Sequence, residues 1–169
     1  MPQILIIYTT MRGRTGDMVE PICTGIRDEG VEVLTRSVEA VTWEEMLAAD
    51  GIIVGNPTRF GELDWQLKRL FDVTAFQDYP GPLVGKVGGA FGAGGRPGGG
   101  AELALMSVLH VLLNHGMVIQ GNAHGAHYGP VYGRDTSAEA IHEECRGWGQ
   151  LWAQLVKRLH HGPSEATRV

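Results

Sequence analysis

Residues 51–61 read Gly51-Ile-Ile-Val-Gly-Asn-Pro-Thr-Arg-Phe-Gly61, an apolar run that passes directly into a loop. Continuous apolar runs of this length are typical of parallel strands covered on both faces. A helical pattern follows, so the loop is predicted to lie at the carboxyl end of a parallel strand, where open α/β sheets bind ligands. Its proline, hydroxyl, guanidinium and aromatic ring suit a flat ligand with polar edges. The alternative is a Pro/Gly turn with incidental side chains.

Short apolar runs and helical patterns alternate along the whole chain. The predicted strands are Ile4–Tyr8, Val31–Thr35, Gly51–Val54, Val87–Phe91 and Met117–Ile119. The predicted helices are 17–29, 42–49, 63–72, 101–114 and about 137 to about 160. This order predicts an α/β three-layer sandwich around a five-stranded parallel sheet with right-handed crossovers. The 169 residues fit one domain, and we expect it to span 1–161, with a disordered tail over 162–169.

Several local patterns refine the helices. Thr42 with Glu45, and Thr136 with Glu139, have the spacing of a capping box. Pro21 predicts a late start or a kink in the first helix. The last helix carries an apolar stripe that is predicted to face the core and consists of Ile141, Cys145, Trp148, Trp152, Leu155 and Leu159.

Composition excludes some classes of function. The formal charge is −5 and the basic residues are scattered, so nucleic-acid binding has no electrostatic footprint. The chain shows no leader and no apolar stretch of membrane-spanning length, which favours a cytoplasmic protein without a membrane span. Cys23 and Cys145 are far apart and are expected to be small core residues, not a disulfide or a thiolate metal site.

The loop after the first predicted strand reads Thr9-Thr-Met-Arg-Gly-Arg-Thr-Gly16 and leads into a helix. Helix N-termini with hydroxyl and glycine neighbours bind phosphate groups. The loop has neither a Walker lysine nor a G-x-G-x-x-G pattern, which disfavours a P-loop nucleotidase and a Rossmann dehydrogenase. Thr15 or Asp17 could also act as an ordinary N-cap, and this is compatible with phosphate binding.

Two further features follow the later strands. The segment from Gly92 to Gly100 contains six glycines in nine residues and either approaches a flat ligand with its backbone or is a flexible connector. His115, His124, His127 and Tyr128 lie close to the fifth strand and the long loop after it. No carboxylate or cysteine completes a ligand spacing with these histidines, so we expect no metal site.

With these motifs, the chain resembles the flavodoxin-like family and, within it, the WrbA-type NAD(P)H:quinone oxidoreductases. The likeness spans nearly the whole chain and is strongest in Gly55–Gly61, followed by Gln66, Phe71 and Asp72. It extends to Gly85-Lys86, the glycine loop, Asn114-His-Gly-Met-Val-Ile119 and Tyr128-Gly129. The resemblance implies a flavodoxin-like fold with strand order 2-1-3-4-5, in which the loops after strands one, three and four flank the FMN site.

The resemblance also implies roles for individual residues. The residues expected to hold the FMN phosphate are Thr10, Met11, Arg12, Gly13, Arg14 and Thr15. Those expected to cradle the isoalloxazine ring are Pro57, Thr58, Arg59, Phe60 and Gly61, with Gly92, Ala93, Gly94, Gly95 and Arg96 at its other edge and Tyr128 nearby. Arg59 and His115 are the candidates for positioning a substrate.

The implied activity is electron transfer from NADH or NADPH through bound FMN to a quinone or a similar small acceptor. The alternative is a flavodoxin-type electron carrier without a substrate of its own, although such carriers are usually more acidic. A third possibility is an FMN-binding regulatory module. The family also implies a homodimer or homotetramer, although the segment from Val38 to Asp50 is shorter than in WrbA-type proteins.

Overall fold

The computed structural model describes residues 1–75, 78 and 81–160. The strands are β1 (Gln3–Tyr8), β2 (Glu32–Ser37), β3 (Gly51–Pro57), β4 (Val87–Ala93), β5 (Val118–Ile119) and β6 (Val131–Tyr132). The helices are α1 (Arg14–Asp17), α2 (Val19–Asp28), α3 (Trp43–Ala48), α4 (Trp65–Arg69), α5 (Ala101–Asn114) and α6 (Ala138–His160). A π-helical segment, Leu70–Ala75, continues α4.

The strands form one sheet with the order β2-β1-β3-β4-β5, and all of its pairings are parallel. This order confirms the predicted flavodoxin-like topology. The sequence predicts five strands, whereas the described residues form six. The additional strand, β6, pairs with the carboxyl end of β4 through Gly92 and Ala93. Two residues are too few for a hydrophobic period, so the sequence carries no signal for it.

The core is divided into two layers by the sheet. Successive side chains of a strand point to opposite faces, and accordingly Ile4 and Ile6 of β1 pack with α2 and α6, whereas Leu5 and Ile7 pack with α3, α4 and α5. The three-layer sandwich that was predicted is therefore present. On the first face, α2 and α6 approach closely at Gly25, where an added Cβ would lie 2.0 Å from the carbonyl oxygen of Arg146.

The observed helix starts agree with two of the three local sequence patterns. The Thr42–Glu45 capping box forms at the start of α3. Pro21 lies in the first turn of α2, which starts late, at Val19, as expected. The capping box predicted at Thr136 is wrong by one residue, because α6 begins at Ala138 and the Ser137 hydroxyl accepts from the Ala140 amide at 3.2 Å.

Most of the predicted stripe on α6 is buried, and the exception is Leu159 near the end of the helix, which is 49% exposed. Cys23 and Cys145 are buried free thiols, and burial raises their pKa values to about 11 and about 12. The tail predicted over 162–169 lies outside the described residues. No helix among the residues the structure describes is long and apolar enough to cross a membrane.

Candidate functional site

The loops after β1, β3 and β4 meet at the carboxyl edge of the sheet and enclose a cleft of about 340 Å³. Parallel strands end at the same edge, so their loops are brought together by the topology. The described residues that line the cleft are Thr10, Met11, Arg12, Arg14, Thr15, Pro57, Thr58, Ala93, Gly94, Gly95 and Arg134. Ten of these eleven residues belong to the three loops predicted from the sequence.

The first loop turns sharply at Gly13, whose φ of 89° is a left-handed conformation that glycine adopts readily. Its amide donates to the Thr10 hydroxyl at 3.1 Å, so Thr10 closes the turn. Thr15 is 1% exposed, and its hydroxyl has no hydrogen-bond partner within the described part of the chain. An unsatisfied buried hydroxyl costs about 1–3 kcal/mol. A phosphate oxygen in the cleft would accept from it, so the residues present fit the phosphate of FMN.

The loop after β3 is fastened to β4 and to itself. Both the amide and the hydroxyl of Thr58 donate to the carbonyl oxygen of Ala93, at 2.9 and 3.0 Å. Arg59 donates from Nε to the carboxylate of Asp64 at 2.6 Å, and Asp64 is fully buried. Asp64 also caps α4 by accepting from the Gln66 amide at 3.0 Å. Arg59 is thus held by its own loop and is not among the residues that line the cleft.

Phe60 is the residue of this loop with the least ordinary conformation. Its φ is 52°, a region that bulky residues rarely adopt, and its side chain is fully exposed. Backbone strain of this kind clusters at functional sites.

The glycine loop packs closely against the loop after β3. A Cβ on Gly100, which has a φ of 84°, would lie 2.9 Å from Gly61 Cα, and one on Gly94 would lie 2.8 Å from Ala101 Cβ. These distances are shorter than normal contacts. Gly94 and Gly100 are therefore required for close packing within the protein, which argues against a purely flexible connector.

Other predicted site residues lie outside the lining of the cleft, namely Gly13, Phe60, Gly61, Gly92, Arg96 and Tyr128, in addition to Arg59. Gly92 is a buried residue of β4, and Arg96 lines a neighbouring depression together with Arg134. Arg134 was missed by sequence reasoning, because it reaches the cleft only through the unpredicted strand β6.

Within a single chain, His115 does not line the cleft formed by the three loops. Helix α5 starts at the carboxyl edge of the sheet and runs back for 14 residues, so His115, at its end, lies at the opposite edge. There it lines a separate cleft of about 550 Å³ and packs against Phe71, with ring centroids 5.6 Å apart. Burial lowers the pKa of His115, partly offset by the Asp72 carboxylate.

The remaining histidines of the fifth-strand region show no metal-binding arrangement. His127 Nδ1 lies 2.7 Å from the carbonyl oxygen of Asn122, within its own loop. Throughout the part of the chain that the structure describes, no three His, Cys, Asp or Glu residues are grouped to hold a metal ion.

The strand order and the phosphate-fitting cleft define a flavodoxin-like, FMN-binding protein. The model of the NADPH-dependent FMN reductase family matches residues 12–129, and the chain belongs to that family. This membership confirms the predicted oxidoreductase class and its cofactors, FMN and a nicotinamide donor.

The relatives of this chain include a flavodoxin and an NAD(P)H dehydrogenase (quinone). The chain is 37% identical to a flavodoxin of Aquifex aeolicus over 172 residues, which cover 98% of this chain and 92% of that protein. It is 33% identical to an NAD(P)H dehydrogenase (quinone) of Geotalea daltonii over 144 residues, 70% of each chain. The solved WrbA-like flavodoxin of Agrobacterium tumefaciens superposes with a TM-score of 0.79 at 21% identity, covering 94% of this chain and 99% of the other.

Proposed function

We propose that this flavoprotein oxidoreductase transfers two electrons from NADH or NADPH through bound FMN to a quinone. The structural observation that supports it is the buried hydroxyl of Thr15, which has no hydrogen-bond partner among the described residues and lies where the phosphate of FMN would fit, in the cleft between the three loops. A second support is the NAD(P)H dehydrogenase (quinone) of Geotalea daltonii among its relatives. In the proposed reaction, NAD(P)H gives up two electrons and one proton as a hydride and leaves as NAD(P)⁺. The quinone takes up the two electrons together with two protons, the second of them from solvent, and leaves as the hydroquinone.

The chain's own residues bind and orient the cofactor. Bound FMN supplies the exchange of electrons between donor and acceptor. The first loop would hold its phosphate, and the segments 58–61 and 92–96 would border the ring. Within those segments, some amides already donate to backbone carbonyls, namely those of Thr58, Arg59, Gly92 and Gly94. Donors that stabilise negative charge on the ring therefore come from other residues of these segments.

The roles of Arg59 and His115 remain candidates for positioning the acceptor. Arg59 is fixed by Asp64, and His115 lies in another cleft, so each role requires a direct kinetic test. If Arg59→Ala and His115→Ala both leave the rate of acceptor reduction unchanged, neither residue positions the acceptor.

Reduction of the bound cofactor tests the proposed function. The purified protein is loaded with FMN under anaerobic conditions and NADH or NADPH is added while the visible absorbance of oxidised flavin is recorded. We expect rapid bleaching, reversed by added quinone, and the faster nucleotide identifies the donor. Tight FMN binding without bleaching by either nucleotide would contradict an oxidoreductase that uses these donors.

That second outcome defines the alternative function, an electron carrier between proteins. It is favoured by one observation, the 37% identity to the Aquifex flavodoxin over nearly the whole chain. In that case, a protein reductase would reduce the bound flavin where free NAD(P)H does not. The proposed homodimer or homotetramer is addressed by sedimentation of the FMN-loaded protein.

Thr15→Ala is expected to weaken FMN binding by about tenfold to a hundredfold. The substitution removes a hydrogen bond to a charged group, worth about 1.5–3 kcal/mol. Titration with FMN, followed by flavin fluorescence, measures the change. Thr15→Ser is the matched control because it keeps the hydroxyl and should bind FMN nearly as tightly as the unaltered protein. An unaltered dissociation constant for Thr15→Ala would place the phosphate elsewhere.

A further inference from the structure

Three arginines line the cleft in which the cofactor is proposed to bind. Arg12 and Arg14 come from the loop after β1, and Arg134 from the segment after β6. No Asp or Glu is found among the described residues that line this cleft. The cleft thus concentrates positive charge in a chain whose formal net charge is −5.

Arg14 is held in place by two other elements. Its Nη1 donates to the carbonyl oxygen of Gly94 at 3.3 Å, and its guanidinium carbon lies 5.6 Å from the centre of the Tyr132 ring. A guanidinium within about 6 Å of an aromatic ring is attracted to its face. Both contacts restrict Arg14, which is half-buried, and leave further guanidinium N–H groups available to a ligand.

Arg134 reaches the cleft because β6 and its following residues are bonded to the glycine loop. The Gly94 amide donates to the Tyr132 carbonyl at 3.1 Å, and the Arg134 amide donates to the Gly95 carbonyl at 2.8 Å. These bonds fix the backbone of residue 134 beside the cleft. Arg134 is exposed and lines the same cleft as Arg12 and Arg14 of the first loop.

We propose that Arg12, Arg14 and Arg134 form an arginine clamp for the phosphate group of FMN, in which Tyr132 positions Arg14. The proposal rests on FMN occupying this cleft, as in the proposed function. Guanidinium groups bind phosphate through charge-assisted hydrogen bonds, which are stronger than neutral ones. Part of the affinity for FMN therefore comes from charge. The clamp makes the protein prefer FMN over riboflavin, which has the same ring and ribityl chain without the phosphate.

The test compares dissociation constants for FMN and riboflavin, measured by flavin fluorescence without any electron donor. Arg14→Gln and Arg134→Gln are each expected to raise the FMN constant about tenfold or more and the riboflavin constant by less than about twofold. Arg27→Gln is the matched control. It removes the same charge from an exposed pair with Glu20 on α2, and it should leave both constants unchanged.

Salt and Tyr132 supply two further readouts. Between about 0.01 M and about 1 M salt, the screening length falls from about 30 Å to about 3 Å, so FMN binding should weaken while riboflavin binding does not. Salt should weaken FMN binding less in Arg134→Gln than in the unaltered protein. Tyr132→Leu should also lower the preference for FMN, and Tyr132→Phe, which keeps the ring, should restore it.

The clamp is wrong if the FMN-to-riboflavin ratio of both arginine variants equals that of Arg27→Gln, or if the unaltered protein binds neither flavin. Binding of neither flavin would contradict the proposed function as well, whereas an unchanged ratio contradicts the clamp alone. A protein that prefers FMN through these arginines but is not bleached by NADH or NADPH keeps the clamp and loses the reductase activity. If NADH or NADPH bleaches the bound flavin but the arginine variants keep the FMN-to-riboflavin ratio of the unaltered protein, the reductase activity stands and the clamp is wrong.

Discussion

Replacing Trp152 with alanine is expected to lower the free energy of unfolding by about 3–5 kcal/mol, as for other large aromatic residues in cores. Trp152 is 2% exposed, and its indole stacks on Trp148 with ring centroids 4.2 Å apart. Its Nε1 donates to the carbonyl oxygen of Gly88 in β4 at 2.9 Å. The substitution leaves a cavity between α6 and the sheet and removes a buried hydrogen bond. Denaturant unfolding monitored by circular dichroism measures the loss.

Gly89 provides the control for this prediction. An added Cβ at Gly89 would lie 2.3 Å from Trp152 Nε1, so Gly89→Ala should cost about 1–3 kcal/mol by overpacking. In the Trp152→Ala background that cost should largely disappear, because the methyl group then occupies vacated space. Residues in direct contact show such non-additivity. Equal costs in the two backgrounds would mean that the indole does not occupy this position.

The Gly88-Gly89 pair also shows what the sequence could and could not predict about the fold. Strand β4 was predicted from the apolar run at 87–91 although glycine is a poor strand former. The structure gives the two glycines different reasons, because a Cβ on Gly89 would meet the indole of Trp152, whereas one on Gly88 would meet Ile119 on the opposite face of the sheet. Both are contacts between residues far apart in the chain. Apolar runs identify strands locally, whereas the partner that fills the space above a strand depends on the tertiary structure.

The loops of the candidate site were predicted from the sequence, but some of its side chains were not. The three loops were identified because each follows an apolar strand, and parallel topology brings them together. Arg134 was missed because its place depends on β6, which is too short to leave a pattern. The separation of His115 from this cleft within one chain could not be predicted, because it depends on the direction and length of α5, not on nearness to β5 in sequence.

Arg59 illustrates why a side chain in a ligand loop cannot be assigned to a ligand from sequence. Its guanidinium lies at the carboxyl edge of the sheet, where a cation could stabilise a reduced flavin or contact a quinone. Five residues later the chain supplies a carboxylate, Asp64, that the loop folds back against it. The geometry of that turn therefore determines whether Arg59 contacts a substrate or holds the loop in place.

Replacing Arg59 with methionine is expected to lower the free energy of unfolding by about 2–3 kcal/mol. The change keeps the aliphatic stem but leaves the fully buried carboxylate of Asp64 without its cation. Removing one member of a buried pair costs about 3–5 kcal/mol, and we expect less here because Arg59 is 34% exposed. Asp64→Asn should cost less than Arg59→Met, because asparagine can still cap α4 and the guanidinium retains contact with water.

The double variant separates the two possible roles of Arg59. If Arg59 holds the loop through Asp64, then Arg59→Met should cost little further stability once Asp64 is asparagine, and the flavin dissociation constants of the single and double variants should be similar. A residue that contacts the acceptor behaves differently, because its loss lowers the quinone-dependent rate per bound flavin by the same factor in both backgrounds. The pair Asp64–Arg59 is built from a fully buried carboxylate and a short contact, so we expect the first pattern, with loop position rather than substrate contact as the role of the cation.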